Sequence, residues 1–185
     1  HSVGVLGEKG TGIEEYYNLY GAIDIKMGTL SKTIPSVGGY VAASKDIITY
    51  LRHSSRAYIF SAALPPAQAA AANEAFKVIL DEPERIVKLN LNTKQFIGGL
   101  KSMGFDTMLT ETAIVPVLCG DDMTAFAITR EAQLNDVFVL PVVSPAVPEG
   151  LARLRATVTA AHDPSEIERA MDVIGEAGKK LGIIK

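Results

Sequence analysis

The sequence has one cysteine, no tryptophan, no long apolar run and no surplus of basic charge. Each absence excludes something. A single cysteine rules out a disulfide-stapled scaffold, and Cys119, set in an apolar stretch, reads as a buried inert thiol. No apolar run reaches the ~18 residues of a membrane span. Lys and Arg number 18 against 21 Asp and Glu, for a net charge of -3. No basic stripe is interleaved with aromatics, so nucleic-acid binding is disfavoured. No His, Cys and Asp spacing resembles a metal site. What is present, 48% hydrophobic and 21% charged over 185 residues, is the composition of a soluble globular protein with one large domain or two small ones. A cytoplasmic location fits. The opening His1-Ser2-Val3-Gly4 lacks an initiator Met and a signal-like n-region, and reads as the interior of a longer sequence.

Read in order, Gly4, Gly7, Gly10 and Gly12 predict a loop with backbone at positive φ rather than a nucleotide-binding loop, since no strand precedes it and no Gly-Lys-Ser/Thr follows. Ala22 to Met27 reads as a short buried strand, and Val37 to Ala43 as another. Ser44 caps a helix running to about Leu51. Tyr58 to Ser61 reads as extended. Pro66 fits the first turn of an alanine-rich helix over 67–80, which Asp81-Glu82-Pro83 ends. A second helix, 84–103, is closed by Gly104. Strands are expected at 114–118, with Pro116 at an edge or bulge, at 137–142 and at 154–158. Asp121-Asp122 and Asp163-Pro164 start two further helices. Residues 1–80 read as part of a larger α/β domain and 81–185 as a small α+β domain.

The chemistry concentrates at Met27-Gly28-Thr29-Leu30-Ser31-Lys32, followed by Val37-Gly38-Gly39-Tyr40. A lysine beside small hydroxyl residues, with a glycine pair just beyond, suits an amine that carries a cofactor. Thr29 and Ser31 can bond a phosphate or orient the amine. Lys26, one turn earlier, lacks adjacent hydroxyls. An amine attacking a carbonyl must be uncharged, and a partly buried pocket favours that form. Among the remaining polar residues, Arg153 and Arg155 alternate on a strand and are expected to face opposite sides, or one of them to lie at an edge. His162 reads as a capping or packing residue, and His53 as exposed.

Further motifs occur in a telling order: His1-Ser2-Val3-Gly4-Val5-Leu6-Gly7, Gly28-Thr29-Leu30-Ser31-Lys32, Gly38-Gly39, Phe60-Ser61-Ala62-Ala63-Leu64-Pro65-Pro66, Val147-Pro148-Glu149-Gly150 and Arg153-Leu154-Arg155. In this order and spacing the chain resembles the C-terminal half of the α-oxoamine synthases. The resemblance implies the α/β fold of a fold-type I pyridoxal-phosphate transferase, represented by part of its large domain plus the small α+β domain. It also implies a homodimer whose active sites are shared between subunits. Lys32 matches the lysine that holds pyridoxal 5'-phosphate as a Schiff base and later acts as general base. His1 matches a histidine that bonds the cofactor's phenolic oxygen. Thr29 matches a contact to the cofactor phosphate, and Ser61 a residue donated to the neighbouring subunit's phosphate. Arg155 matches the arginine that grips the substrate carboxylate, a task suited to a bidentate guanidinium.

The implied reaction joins an amino acid to an acyl-CoA thioester, with decarboxylation, to give an α-amino ketone of the biotin- or sphingolipid-pathway kind. Two departures bear on it. Ser61-Ala62 stands where the family often has Ser-Thr, removing one phosphate hydroxyl. The family's ring-nitrogen aspartate would lie three residues before His1, outside this chain, so these 185 residues alone are not expected to turn over. The alternatives are a non-catalytic fragment or partner subunit, and another fold-type I enzyme such as an aminotransferase.

Overall fold

A computed structural model describes all residues, His1–Lys185. The chain forms two compact units, His1–Ile86 and Val87–Lys185.

The first unit begins with the glycine loop. Gly4, Gly7, Gly10 and Gly12 all take positive φ, as their spacing predicts. A single helical turn follows, α1 (Ile13–Tyr16). Strand β1 (Lys26–Ser31) pairs antiparallel with β2 (Pro35–Ala42), with Thr29 opposite Gly39 and a register shift between Thr29 and Ser31. The expected strand at 22–27 is therefore displaced toward the lysine, and its first residues are exposed rather than buried. Helix α2 (Lys45–Ser54) starts at Ser44, whose side chain accepts from the Ile47 amide. Residues 56–59 form a helical turn, α3 (Arg56–Ile59), instead of the extended segment expected at 58–61. The reason is local: Ser55 caps the turn by accepting from the Tyr58 amide, and the Arg56 guanidinium lies 5.9 Å from the Phe60 ring. Helix α4 (Pro66–Asp81) has its proline in the first turn, where the missing amide hydrogen costs nothing.

The hairpin packs on α4. Leu30, Ile34 and Ala72 are buried there, with Tyr40, Ala75, Phe76 and Ile79 around them. The Tyr40 and Phe76 rings meet edge to face at 5.8 Å. The Ser36 hydroxyl donates to the Gln68 carbonyl at 2.8 Å, tying the strand to the helix.

Helix α5 (Glu84–Ser102) leads into the second unit and ends at Gly104, whose φ is 99°. There, β3 (Ile114–Gly120), β4 (Leu140–Val142) and β5 (Ala152–Thr157) form an antiparallel sheet in the order β3-β5-β4. Pro116 lies on edge strand β3, where it breaks no inner ladder. Strand β4 is shorter than the expected 137–142 because only Leu140 to Val142 pair with β5. Helices α6 (Asp122–Leu134) and α7 (Pro164–Lys180) complete the unit. Val115, Val117, Leu154, Ile128 and Ile174 are its buried centre. Helix α7 approaches α5 closely at Gly99, where a Cβ would fall 2.1 Å from the Met171 sulfur. Asn92 donates to the carbonyls of Thr159 and His162 and so holds the turn before α7. No helix is long and apolar enough to cross a membrane.

Candidate functional site

Strand β1 ends in the residues of interest. Strand alternation sends Leu30 into the core, 5% exposed, and leaves Thr29 and Ser31 on the other side. Their hydroxyls stand 2.9 Å apart, and the Thr29 hydroxyl also donates to the Gly38 carbonyl at 3.4 Å. Lys32 follows at once and is exposed, not partly buried as the sequence led one to expect. The glycines here answer to geometry. A Cβ on Gly28 would sit 2.3 Å from the Tyr40 ring, and one on Gly39 would sit 2.8 Å from the Gly28 carbonyl oxygen. Gly38 turns at φ 86°.

The glycine loop joins this strand end to His1. Gly4 is pressed against Thr33, the residue after Lys32: a Cβ there would lie 2.3 Å from the Thr33 methyl. The loop folds back on itself, with Val5 and Leu6 donating to the Ser2 carbonyl, Gly4 to Gly10, and Gly12 to Leu6. His1 is exposed at the mouth of this loop. Thr29, Ser31 and Lys32 are thus brought together, and the His1 loop abuts them through Gly4 and Thr33.

Two glutamates with no motif of their own, Glu14 and Glu15, organise the region. The Glu15 carboxylate accepts from the Lys9 amide, the Thr11 amide and the Thr11 hydroxyl, at 2.8–2.9 Å. Burial pushes its pKa up, but these donors and the Lys9 charge outweigh it, and the carboxyl is held below its ordinary range. Glu14 accepts from the Lys26 ammonium and from the Ile23 amide. The hydrogen bond from Lys26 is the main reason its carboxyl is held low. Lys26, the competing lysine of the sequence, is therefore an ion-pair partner. No local sequence pattern marks Glu15, because its donors are the Lys9 and Thr11 groups that only the folded glycine loop turns toward it.

Ser61 lies exposed at the bend after α3. Arg155 belongs to the second unit, on β5, and borders a cavity of about 500 Å³ with Phe96, Val139, His162 and Ile174. Arg153 and Arg155 share one face, contrary to the expectation of opposite sides. Positions two apart in a strand point the same way, and here Ala152, Leu154 and Ala156 take the buried face. Arg153 donates to the Leu151 carbonyl at 2.9 Å. Cys119 is half-buried, and burial pushes its thiol up to about 11. The His162 ring accepts from the Thr159 amide at 3.3 Å, a packing role.

Comparison with known proteins gives a consistent picture. Residues 1–174 match the aminotransferase class I and II family. The chain is 44% identical over 184 residues to an 8-amino-7-oxononanoate synthase of Thermoanaerobacter pseudethanolicus, and 41% identical to one of Treponema denticola. In each case the match covers the whole of this chain and 47% of the relative. The chain thus spans about half the length of the curated relatives it matches. A structure of SPT with pyridoxal phosphate as internal aldimine superposes with a TM-score of 0.93 at 33% identity, covering all of this chain and 47% of that one. Sphingomonas wittichii serine palmitoyltransferase gives 0.93 at 28% identity, with the same coverage.

Proposed function

The chain belongs to the aminotransferase class I and II family, and from that premise we propose that it is part of a pyridoxal-phosphate-dependent acyltransferase. The reaction joins an amino acid to an acyl-CoA thioester with loss of CO₂, giving an α-amino ketone. The observation that carries this reading is the end of β1, where the Thr29 and Ser31 hydroxyls meet at 2.9 Å beside an exposed Lys32. The identity of 44% and 41% to 8-amino-7-oxononanoate synthases favours that branch over the serine palmitoyltransferases.

The residues present fit the cofactor. Two hydroxyls converge where an anionic group needs donors, and an accessible amine follows. When bound, the cofactor supplies an electron sink for charge developing at the substrate Cα. Lys32 would hold the cofactor, and its Nζ would take the substrate Cα proton. Thr29 and Ser31 donate to the phosphate. His1 bonds the phenolic oxygen, and Arg155 grips the substrate carboxylate. Residues 1–80 belong to the large cofactor-binding domain and 81–185 to the small one. The enzyme is a homodimer, with Ser61 reaching the neighbouring site; the 79% exposure of Phe60 beside it suits a surface that is covered on assembly.

The test is release of free CoA and CO₂ by the full-length enzyme, offered L-alanine with a panel of acyl-CoAs. CoA release that disappears in Lys32→Ala supports the assignment. Amino-group transfer without CoA release places the protein among the aminotransferases and overturns it.

A further inference from the structure

We propose that Glu15 is a positioning residue: its ionised carboxylate pins the glycine loop so that His1 and the Lys32 segment are held in register. The proposal rests on the reading of His1 and Lys32 given above. The carboxylate has three donors, and two of them are backbone amides. Oε1 takes the Lys9 amide, and Oε2 takes both groups of Thr11. Gly7 is wrapped so tightly around it that a Cβ there would lie 2.1 Å from Oε2.

From this pin two short contact paths run to the site. One goes from Thr11 to Gly12, whose amide donates to the Leu6 carbonyl at 3.0 Å, while the Leu6 amide donates to the carbonyl of Ser2, the neighbour of His1, at 2.9 Å. The other goes from Lys9 to Gly10, whose carbonyl accepts from the Gly4 amide at 2.7 Å, and Gly4 abuts Thr33 next to Lys32. The carboxylate matters as an anion because every group aimed at it is a donor. A glutamine amide must turn its NH₂ toward at least one backbone N–H, leaving that amide without a partner.

The experiment compares wild type, Glu15→Gln and Thr11→Val in the full-length protein, all with pyridoxal phosphate added. Hydrogen exchange over residues 7–12 reads the pin. The imidazole signals of His1, assigned with His1→Gln, read its orientation, and the visible absorbance of the bound cofactor reads the site. In Glu15→Gln, exchange at Lys9 and Thr11 should quicken about tenfold or more. The His1 signals and the absorbance band should shift together. Thr11→Val removes only the hydroxyl and should shift all three readouts less, in the same direction. Unchanged exchange in Glu15→Gln overturns the pin. Faster exchange with unmoved His1 signals makes Glu15 merely structural and overturns the positioning role. If His1→Gln leaves the band unaltered while Glu15→Gln still moves the His1 signals, the cofactor role of His1 fails and the positioning by Glu15 stands.

Discussion

Replacing Gly4 by alanine tests whether the glycine loop is truly seated against the Lys32 segment. Two costs apply. The residue sits at φ 75°, where a side chain costs about 1–2 kcal/mol. The added methyl would also meet the Thr33 methyl at 2.3 Å and the Ile79 methyl at 3.1 Å. Rotation of Thr33 relieves part of that clash, but its Cβ stays 3.0 Å away, and overpacking of this kind costs about 1–3 kcal/mol. Gly21 supplies the control: its φ is 79°, with nothing within 4 Å of the added Cβ. Both substitutions carry the same backbone strain and the same loss of unfolded-state freedom. The difference between them isolates the contact, and should be about 1–3 kcal/mol. The assay is built into the sequence. There is no tryptophan, and all six tyrosines lie in the first unit, so tyrosine fluorescence during urea unfolding reports that unit. Equal midpoints for Gly4→Ala and Gly21→Ala would refute the packing argument.

Further outcomes follow from the same structure. Leu154 is fully buried in the second unit, so Leu154→Ala should cost about 2–5 kcal/mol by far-UV circular dichroism, while Leu109→Ala, at 98% exposure, should stay within about 0.5 kcal/mol. Cys119, with its thiol at about 11, should be alkylated at pH 8 about a hundredfold more slowly than a free cysteine; a rate like that of a small thiol would contradict its burial. Glu14 and Glu15 have carboxyls held below the ordinary 4.5, so their contribution is complete above that value and drains away as the pH falls through the folded values. The first unit's tyrosine-reported midpoint should therefore fall below about pH 4.5, and Glu15→Gln should flatten that fall.

The features legible in the sequence were those with local causes. Ser44, Pro66, Asp121 and Gly104 mark helix ends through capping and backbone constraints that need no distant partner. Strand limits depend on pairing, and so they moved: Lys26 to Ser31 is a strand because β2 lies beside it, and Val137 to Val139 is not because β5 is not its partner. The turn at 56–59 was hidden by the apolar run Tyr58-Ile59-Phe60, although Ser55 carried its cap. The hydroxyls before Lys32 were visible as a motif. Glu15 was not, since its role depends on amides four and six residues earlier that only the folded loop turns toward it.

Lys32 is the residue proposed to carry the cofactor. The direct measurement is to add pyridoxal phosphate to the full-length protein, reduce with borohydride, digest and locate the added mass. A single pyridoxyl group is expected on Lys32, with Lys26 unmodified in its ion pair with Glu14. A label on Lys26, or on another lysine with Lys32 unmodified, would contradict it.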